Sequence, residues 1–274
     1  MVRSLWTGAA GMNAQQTNVD TIANNMANVN TVGYKAQGVQ FKSLLYQDLQ
    51  SPSTTANGDP KPTDSEVGLG VRVNAITNFF NQGALLANDS NTAIAIQGEG
   101  MFAFHNETGE IRYTRNGDFT WALGNLEGTE LVLTNSEGNP ILNTEGNEIR
   151  VGEGLIASKL SIAKDGSILY PDEDDVPQPV GQTIGLWQFN NPGGLERVGN
   201  TAFAETVASG PVMNEATNDA LRKSSIATGY LEGSGVNVAT EMVNLIVAQR
   251  AYEMNSTVIT TTDAMMQTAN QLKR

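Results

Sequence analysis

Leu5, Met12, Val19 and Met26 recur at intervals of seven, with Ala9 and Ala23 at the intermediate four-residue steps and Gln16 interrupting. This is a 3-4 apolar stripe at coiled-coil spacing. Ile22 and Val29 widen it. It predicts a helix of about 27 residues, roughly 40 Å long. The tract "NTVGYK" after it reads as a stop, with Gly33 suited to a left-handed C-terminal turn. The other end of the chain repeats the pattern. Val247, Ala251, Met254, Val258, Thr261, Met265 and Leu272 follow the same 3-4 steps, Val243 leads in, and "SGVNVATEMV" offers a start. A second helix is expected from about residue 236 to 271.

The middle of the chain is patterned differently. All nine prolines lie between Pro52 and Pro211, so turns belong there and not at the ends. "AIAIQGEGMFAF" alternates with period two. "YTRNGDF" places Asn116-Gly117 between short strands, and "LSIAKDGSILY" does the same with Asp165-Gly166; both predict hairpins. "NSEGN" at 135 and "NTEGN" at 143 recur after eight residues and suggest successive turns of a meander, and "NNPGG" at 190 is a further turn. Residues from roughly 76 to 225 therefore read as an antiparallel β-rich domain. Between Lys42 and Val67, "SPSTTANGDPKPTDSE" is too polar to pack alone and reads as a linker or extended loop. "YPDEDDVPQP" at 170 to 179 reads as a second polar loop. The expected fold class is α+β, with paired terminal helices and a central antiparallel β-rich domain. The expected divisions are a helix over 1–40, an extended connector over 41–75, a β-rich domain over 76–225 and a helix over 226–274.

Composition narrows the function. The 274 residues carry a formal charge of -13, which disfavours nucleic acid and anionic membrane surfaces as partners. There are no cysteines, so thiolate metal sites, disulfides and cysteine nucleophiles are excluded. The start "MVRSLWTGAAGMNAQQ" has no uninterrupted apolar run, so no secretory signal peptide is expected there. No stretch approaches the 18 apolar residues of a membrane span.

Candidate chemistry is sparse. His105, the single histidine, ends the strand-like "MFAF", and no G-x-S-x-G accompanies it. Asp172, Glu173, Asp174 and Asp175 offer carboxylates for calcium, but the alternating spacing of a calcium loop is missing, and such a run reads as a solvated loop. Glu107 and Glu110 form a carboxylate pair of a kind that chance supplies among 29 acidic residues. The G-x-G pairs at 68/70 and 98/100 do not continue into a phosphate cradle. No enzyme activity and no cofactor are expected. A β-rich binding module with helical flanks is the rival from another class; its marker would be clustered exposed aromatics, and aromatics are only 6 % of the chain.

The terminal helices carry the stronger signal. Between Arg3 and Lys35 the only charged residue is Asp20. The face opposite the apolar stripe holds Asn13, Gln16, Thr17, Asn24, Asn28 and Thr31 at helical spacing, and Gly8, Ala9, Ala10 and Gly11 invite close backbone approach. Both features suit a helix packed on several sides, in a polar interface that excludes net charge. Two helices in one chain are too few to cover those faces, which points to many copies.

"QQTNVDTIANNMANVNTVGYK" (15 to 35) resembles the N-terminal signature of the flagellar rod and hook axial proteins, and "GYLEGSGVNVATEMVNLIVAQRAYEMNSTVITTTDAMMQ" (229 to 267) resembles their C-terminal signature. Between them "VGLGVRV", "NQGALL", "AIAIQGEGMF" and "YTRNGDFT" follow the family in order. Chain length, "FKSLLYQ" and the polar tract after it are most similar to the distal-rod members, with proximal rod and hook subunits as the alternatives. Thr257 stands where relatives often have a basic residue, and Met101 where an aromatic is common.

The resemblance implies a structural subunit that stacks helically into a tube, its terminal helices pairing along the inner wall. The product is a rigid shaft that transmits torque. Leu5, Met12, Val19, Ile22, Met26, Val243, Val247, Met254, Val258, Met265 and Leu272 are expected to bury the seam between the two helices and their neighbours. Asn24, Asn25, Asn28, Gly33 and Tyr34 are expected in the turn and in contacts between copies, and Gln249, Arg250, Tyr252 and Asn255 complete the family motif. The implied partners are further copies of this chain, proximal rod proteins, the hook protein, surrounding ring proteins and the flagellar type III export apparatus, with no nucleic acid and no membrane insertion. The implied location is the periplasmic part of the basal body, reached without a cleaved signal peptide.

Overall fold

The computed structural model describes residues 2–50, 65–124, 130–152, 155–172, 176–199, 201–218 and 221–272. The fold class is α+β: one long helix at each end, with short antiparallel strands between. The chain divides into two compact units, one drawn from Met1–Ala27, Gln37–Thr77 and Asn237–Arg274, the other from Asn28–Ala36 and Asn78–Val236.

In the first unit, helix α1 spans Val2–Ala27 and helix α2 spans Val238–Gln271. At 1.5 Å per residue α2 is about 50 Å long. Asn237 caps α2, its side chain accepting from the Thr240 N–H at 3.3 Å, and Glu241 places a carboxylate in the first turn, where the helix dipole favours it. The helices run antiparallel: Ser4 meets Thr262 through their hydroxyls at 3.4 Å, Gly8 faces Ile259, and Gly11 faces Asn255. The approach is close. A Cβ added to Gly11 would sit 2.8 Å from the Asn255 amide nitrogen, and one added to Gly8 would sit 3.0 Å from Ile259.

This seam differs from the expected one. On α2 the line toward α1 runs through Ala248, Asn255, Ile259 and Thr262, with Ala248 and Thr262 buried. Each lies one residue beyond the expected Val247, Met254, Val258 and Thr261, a rotation of about 100° around the helix. Val243, Val247, Met254, Val258, Met265 and Leu272 are exposed. The glycines of α1 make the room: Gly8 seats the Ile259 side chain and Gly11 the Asn255 amide, so this line of α2, and not Val247, Met254 and Val258, meets α1. On α1, Ile22 is buried, while Leu5, Met12, Val19 and Met26 are half-buried.

The stretch expected as a connector is paired at its described ends. Tyr46–Gln50 pairs antiparallel with Ser65–Gly68, and Gln37–Ser43 pairs with Val71–Asn78. Residues 51–64, which hold most of "SPSTTANGDPKPTDSE", lie outside the described residues.

The second unit has two adjoining apolar clusters. One gathers Ile94, Ile96, Phe102, Phe119, Leu133 and Ile141, and Phe102 meets Phe119 edge-on at 5.0 Å. The other gathers Met101, Tyr113, Leu142, Trp187 and Phe203. A four-stranded antiparallel sheet runs in the order Glu196–Gly199, Ala202–Ala204, Ile111–Thr114, Phe102–His105. The period-two alternation around residue 95 does not produce a solvated face: Ala93 to Ile96 and Met101 to Phe104 are all buried, because both alternating partners are apolar.

Asn135 and Asn143 each accept, through Oδ1, the N–H groups two and four residues on at 2.9–3.0 Å, and Gly138 and Gly146 take matching positive φ of 88° and 87°. The repeated "N-x-E-G-N" is thus one turn used twice. Asp165-Gly166 closes a hairpin between Ser161–Ile162 and Ser167–Pro171, Asp165 accepting from the Ser167 N–H and hydroxyl. Those two bonds hold the Asp165 carboxyl below its usual range. Asn116-Gly117 does not make a hairpin: Ile111–Thr114 and Thr120–Leu123 belong to different sheets. Gly117 instead presses its backbone onto the Ile94 carbonyl, where a Cβ would lie 1.7 Å away.

Candidate assembly surfaces

Helix α1 ends at Ala27, six residues before Gly33. The stop is made by Asn28, whose carbonyl and side-chain oxygen take the N–H (3.2 Å) and hydroxyl (3.1 Å) of Thr31. Asn25 is buried, and its amide clamps the backbone of Gln37 twice: Nδ2 donates to the Gln37 carbonyl at 2.8 Å, and Oδ1 accepts from the Gln37 N–H at 2.9 Å. This mimics a strand pairing between helix and strand, which only a carboxamide performs with one donor and one acceptor. Asn24 is exposed and donates to the Gln37 side chain at 3.2 Å. Asn25→Ala should lower stability by about 1–3 kcal/mol, since it strands both Gln37 backbone groups. Chemical denaturation checks this; a change under about 0.5 kcal/mol would remove the clamp from the account.

Around α1 and α2 the surface is polar but charge-poor. Residues 1–27 and 237–274 contain four cationic and four acidic side chains, net zero, leaving 12 cationic and 25 acidic for residues 28–236. The whole charge of -13 thus lies outside the helices. Many threonine hydroxyls are already satisfied on their own helix: Thr7, Thr17 and Thr21 of α1, and Thr257, Thr261, Thr262 and Thr268 of α2, donate to carbonyls four residues back at 2.7–3.1 Å. Such faces lose little when water is removed, because hydroxyls that already have partners need no new ones.

Against this background stands the exposed apolar stripe Val243, Val247, Met254, Val258, Met265 and Leu272; Met242 and Ile246 on α2 and Trp6 on α1, the last 73 % exposed, are further exposed apolar side chains. Trp6 and Ile246 lie off the heptad positions, so the sequence pattern misses them; their large apolar side chains are the signal that would have marked them. A cleft of about 550 Å³ is lined by Gln16, Val19, Gln249, Tyr252 and Glu253. It gathers the family-motif residues Gln249 and Tyr252 with the heptad residue Val19. Arg250 is exposed, and Asn255 is half-buried against Gly11.

In the β-rich unit the remaining motif residues converge on a buried ionic group. Gly33 has φ +69°, and its N–H donates to the Glu232 carbonyl at 2.8 Å. Tyr34 is buried beneath Arg197, whose guanidinium carbon lies 4.6 Å from the ring centroid. Lys35 Nζ donates to Glu232 Oε1 at 2.6 Å and to the Asn81 carbonyl at 2.8 Å. Arg115 donates to Glu232 Oε2 at 3.1 Å and to the Gly98 carbonyl, and the Gly83 N–H donates to Glu232 Oε1 at 2.9 Å. Lys35, Arg115 and Glu232 are 1 %, 2 % and 0 % exposed. Burial holds the Lys35 ammonium below its usual range, the Glu232 charge acting against it and Arg115 with it. Burial lowers Arg115 as well, opposed chiefly by Glu232.

His105 is half-buried with Nδ1 3.6 Å from Glu148, and Glu110 pairs with Arg112. Among the described residues no group of three or more His, Asp or Glu is placed to hold a metal ion. Asp172 is described, but Glu173, Asp174 and Asp175 lie outside the described residues. Among the described residues no helix is long and apolar enough to cross a membrane.

Three family descriptions match the chain: "Flagella basal body rod protein" over residues 5–35, "Flagellar hook protein FlgE/F/G D1 domain" over 95–170, and "Flagellar basal body rod FlgEFG protein C-terminal" over 227–272. The curated flagellar basal-body rod protein FlgG of Borreliella burgdorferi is 37 % identical over 100 % of both chains. That of Caulobacter vibrioides is 38 % identical over 99 % of this chain and 100 % of its own. That of Bacillus subtilis is 33 % identical over 100 % of both. With relatives of this identity along its whole length, the chain belongs to the flagellar basal-body rod protein family.

Proposed function

We propose that this chain is the subunit of the distal flagellar rod, polymerising helically into a rigid tube that carries torque from motor to hook. Membership of the rod family makes it a structural component of the basal body. The observation that carries the polymer reading is the apolar stripe of α2, which its own chain leaves uncovered on a net-neutral helix pair. An exposed stripe of this length is an interaction site, and net neutrality lets like surfaces meet without mutual repulsion. Val19, Tyr252 and the stripe are then contacts between copies. Leu5, Met12, Met26 and Ile22 complete the inner helical layer.

The work is mechanical, not catalytic. Its partners are copies of itself, proximal rod proteins below, hook protein above, the rings around the rod, and the flagellar export apparatus that delivers it to the periplasm. A second reading within the family is a proximal rod or hook subunit.

Deleting this gene in its source and imaging isolated motor bases by electron microscopy decides between them. A rod truncated partway, with no hook, is the expected result. A base lacking any rod would favour a proximal subunit. Full rods without hooks would favour a hook subunit, and complete rods bearing hooks would overturn the assignment.

A further inference from the structure

We propose that the Glu232 carboxylate is a latch: it fastens residues 28–36 onto the β-rich unit, closes after the β core has formed, and opens without unfolding that core. The hold on this segment is mainly polar, with one buried aromatic, Tyr34, beneath the Arg197 guanidinium. Lys35 reaches Glu232, Gly33 bonds the Glu232 carbonyl, and the Gly235 N–H bonds the Tyr34 carbonyl at 2.9 Å. Residues 28–36 contribute no side chain to either apolar cluster. A piece held mainly by buried charges and hydrogen bonds, apart from the two apolar clusters, is a separate cooperative element with its own opening free energy.

The order of events follows from chain topology. Lys35 and Glu232 are 197 residues apart, and Glu232 also collects Gly83 and Arg115, so four separated segments must already be in place. Contacts of such separation form late, after nearer pairings have shortened the loops. Burying three charges adds little net stability when complete, yet losing Glu232 leaves both cations unpaired in a dry site, and losing Lys35 removes the ionic tie between residues 28–36 and Glu232. The latch therefore behaves as a switch between seated and released states. It also joins the chain as it leaves α1 to the chain as it approaches α2, since residues 33–34 bond residues 232–235 within this unit.

Native-state hydrogen exchange on the full chain tests this with Glu232→Gln and Lys35→Met. The reporters are the amides of Gly33, Phe79 and Gly235, bonded to Glu232, Ala36 and Tyr34. The reference amides are Leu133, Ile141 and Ile149, bonded within the core. In either variant the reporters should exchange at least about tenfold faster, with the reference amides unchanged. Lys35→Met keeps the Glu232–Arg115 pair, so it reads the latch even if Glu232→Gln unfolds. Equal acceleration of reporters and reference amides in Lys35→Met would show that the group merely supports global stability. Acceleration of the reporters below about threefold would show that it holds nothing. Either result overturns the latch.

Discussion

Replacing Val247 and Met254 together by Asp is expected to block polymerisation while leaving the free chain folded. In one chain these side chains are 62 % and 64 % exposed, so on the monomer the change is a surface substitution, within about 0.5 kcal/mol of neutral per site. In a packed helical layer each carboxylate would be buried without a partner, at about 3–5 kcal/mol. Every 1.4 kcal/mol is a factor of about ten in an association constant, so the critical concentration should rise about a hundredfold or more for each substitution. Sedimentation and negative-stain microscopy read the polymer, and thermal denaturation reads the monomer. Asp at Asn244 and Thr260, exposed positions off the stripe and outside the cleft, serves as the control. Polymers forming at the wild-type concentration would mean that the stripe faces solvent in the assembled state as well, and the surface assigned above would be wrong.

Gly33→Ala is expected to unseat residues 28–36 and to lower stability by several times the effect of an ordinary surface substitution. The backbone there has φ +69°, where an L side chain costs about 1–2 kcal/mol. The added Cβ would also lie 2.6 Å from the Asn116 backbone nitrogen and 2.8 Å from the Arg115 carbonyl carbon. Backbone at that distance cannot rotate away as a side-chain tip can, so residues 28–36 must shift, at about 1–3 kcal/mol for such overpacking. The sum is roughly 2–5 kcal/mol. Unfolding by denaturant should show it as a lowered midpoint, with Asn28→Ala as a milder comparison. A loss below about 1 kcal/mol would mean that the segment is not seated against Arg115 and Asn116 as the geometry has it.

Much of this architecture is legible in residue order alone. Two helices follow from the 3-4 spacing and from the proline-free ends, because helix periodicity is local and needs no partner to define it. Asp165-Gly166 and the twin "N-x-E-G-N" turns follow from side chains that bond their own backbone a few residues on. Asn116-Gly117 carries the same local signal, yet there the flanking strands join different sheets. A dipeptide reports the ease of turning, not which strand waits on the other side.

The asparagines of "ANNMANVN" show the same boundary. Their chemistry, a polar side chain without charge, is visible at once. That Asn25 would spend both groups on Gln37 is not, since the partner is set by where the chain goes after Ala27. The candidate surface was half legible. The apolar heptad of α2 is plain in the sequence, and so is the glycine pair at Gly8 and Gly11. Which of two adjacent stripes faces α1 depends on how closely two backbones approach, and that is a property of the pair.

The order of residues by itself determined the α+β class, the long helices at both ends, the charge-poor helical surface and the family. These rest on local periodicity, composition and recognisable motifs. Only the tertiary structure decided that α2 turns Ala248, Asn255 and Thr262 toward α1 and leaves Val247, Met254 and Val258 uncovered. It alone brought Lys35, Arg115 and Glu232 into one dry site. Both outcomes depend on residues some two hundred positions apart meeting at van der Waals or hydrogen-bond distance. No local pattern encodes such a meeting, because its energy belongs to neither partner until the chain has folded.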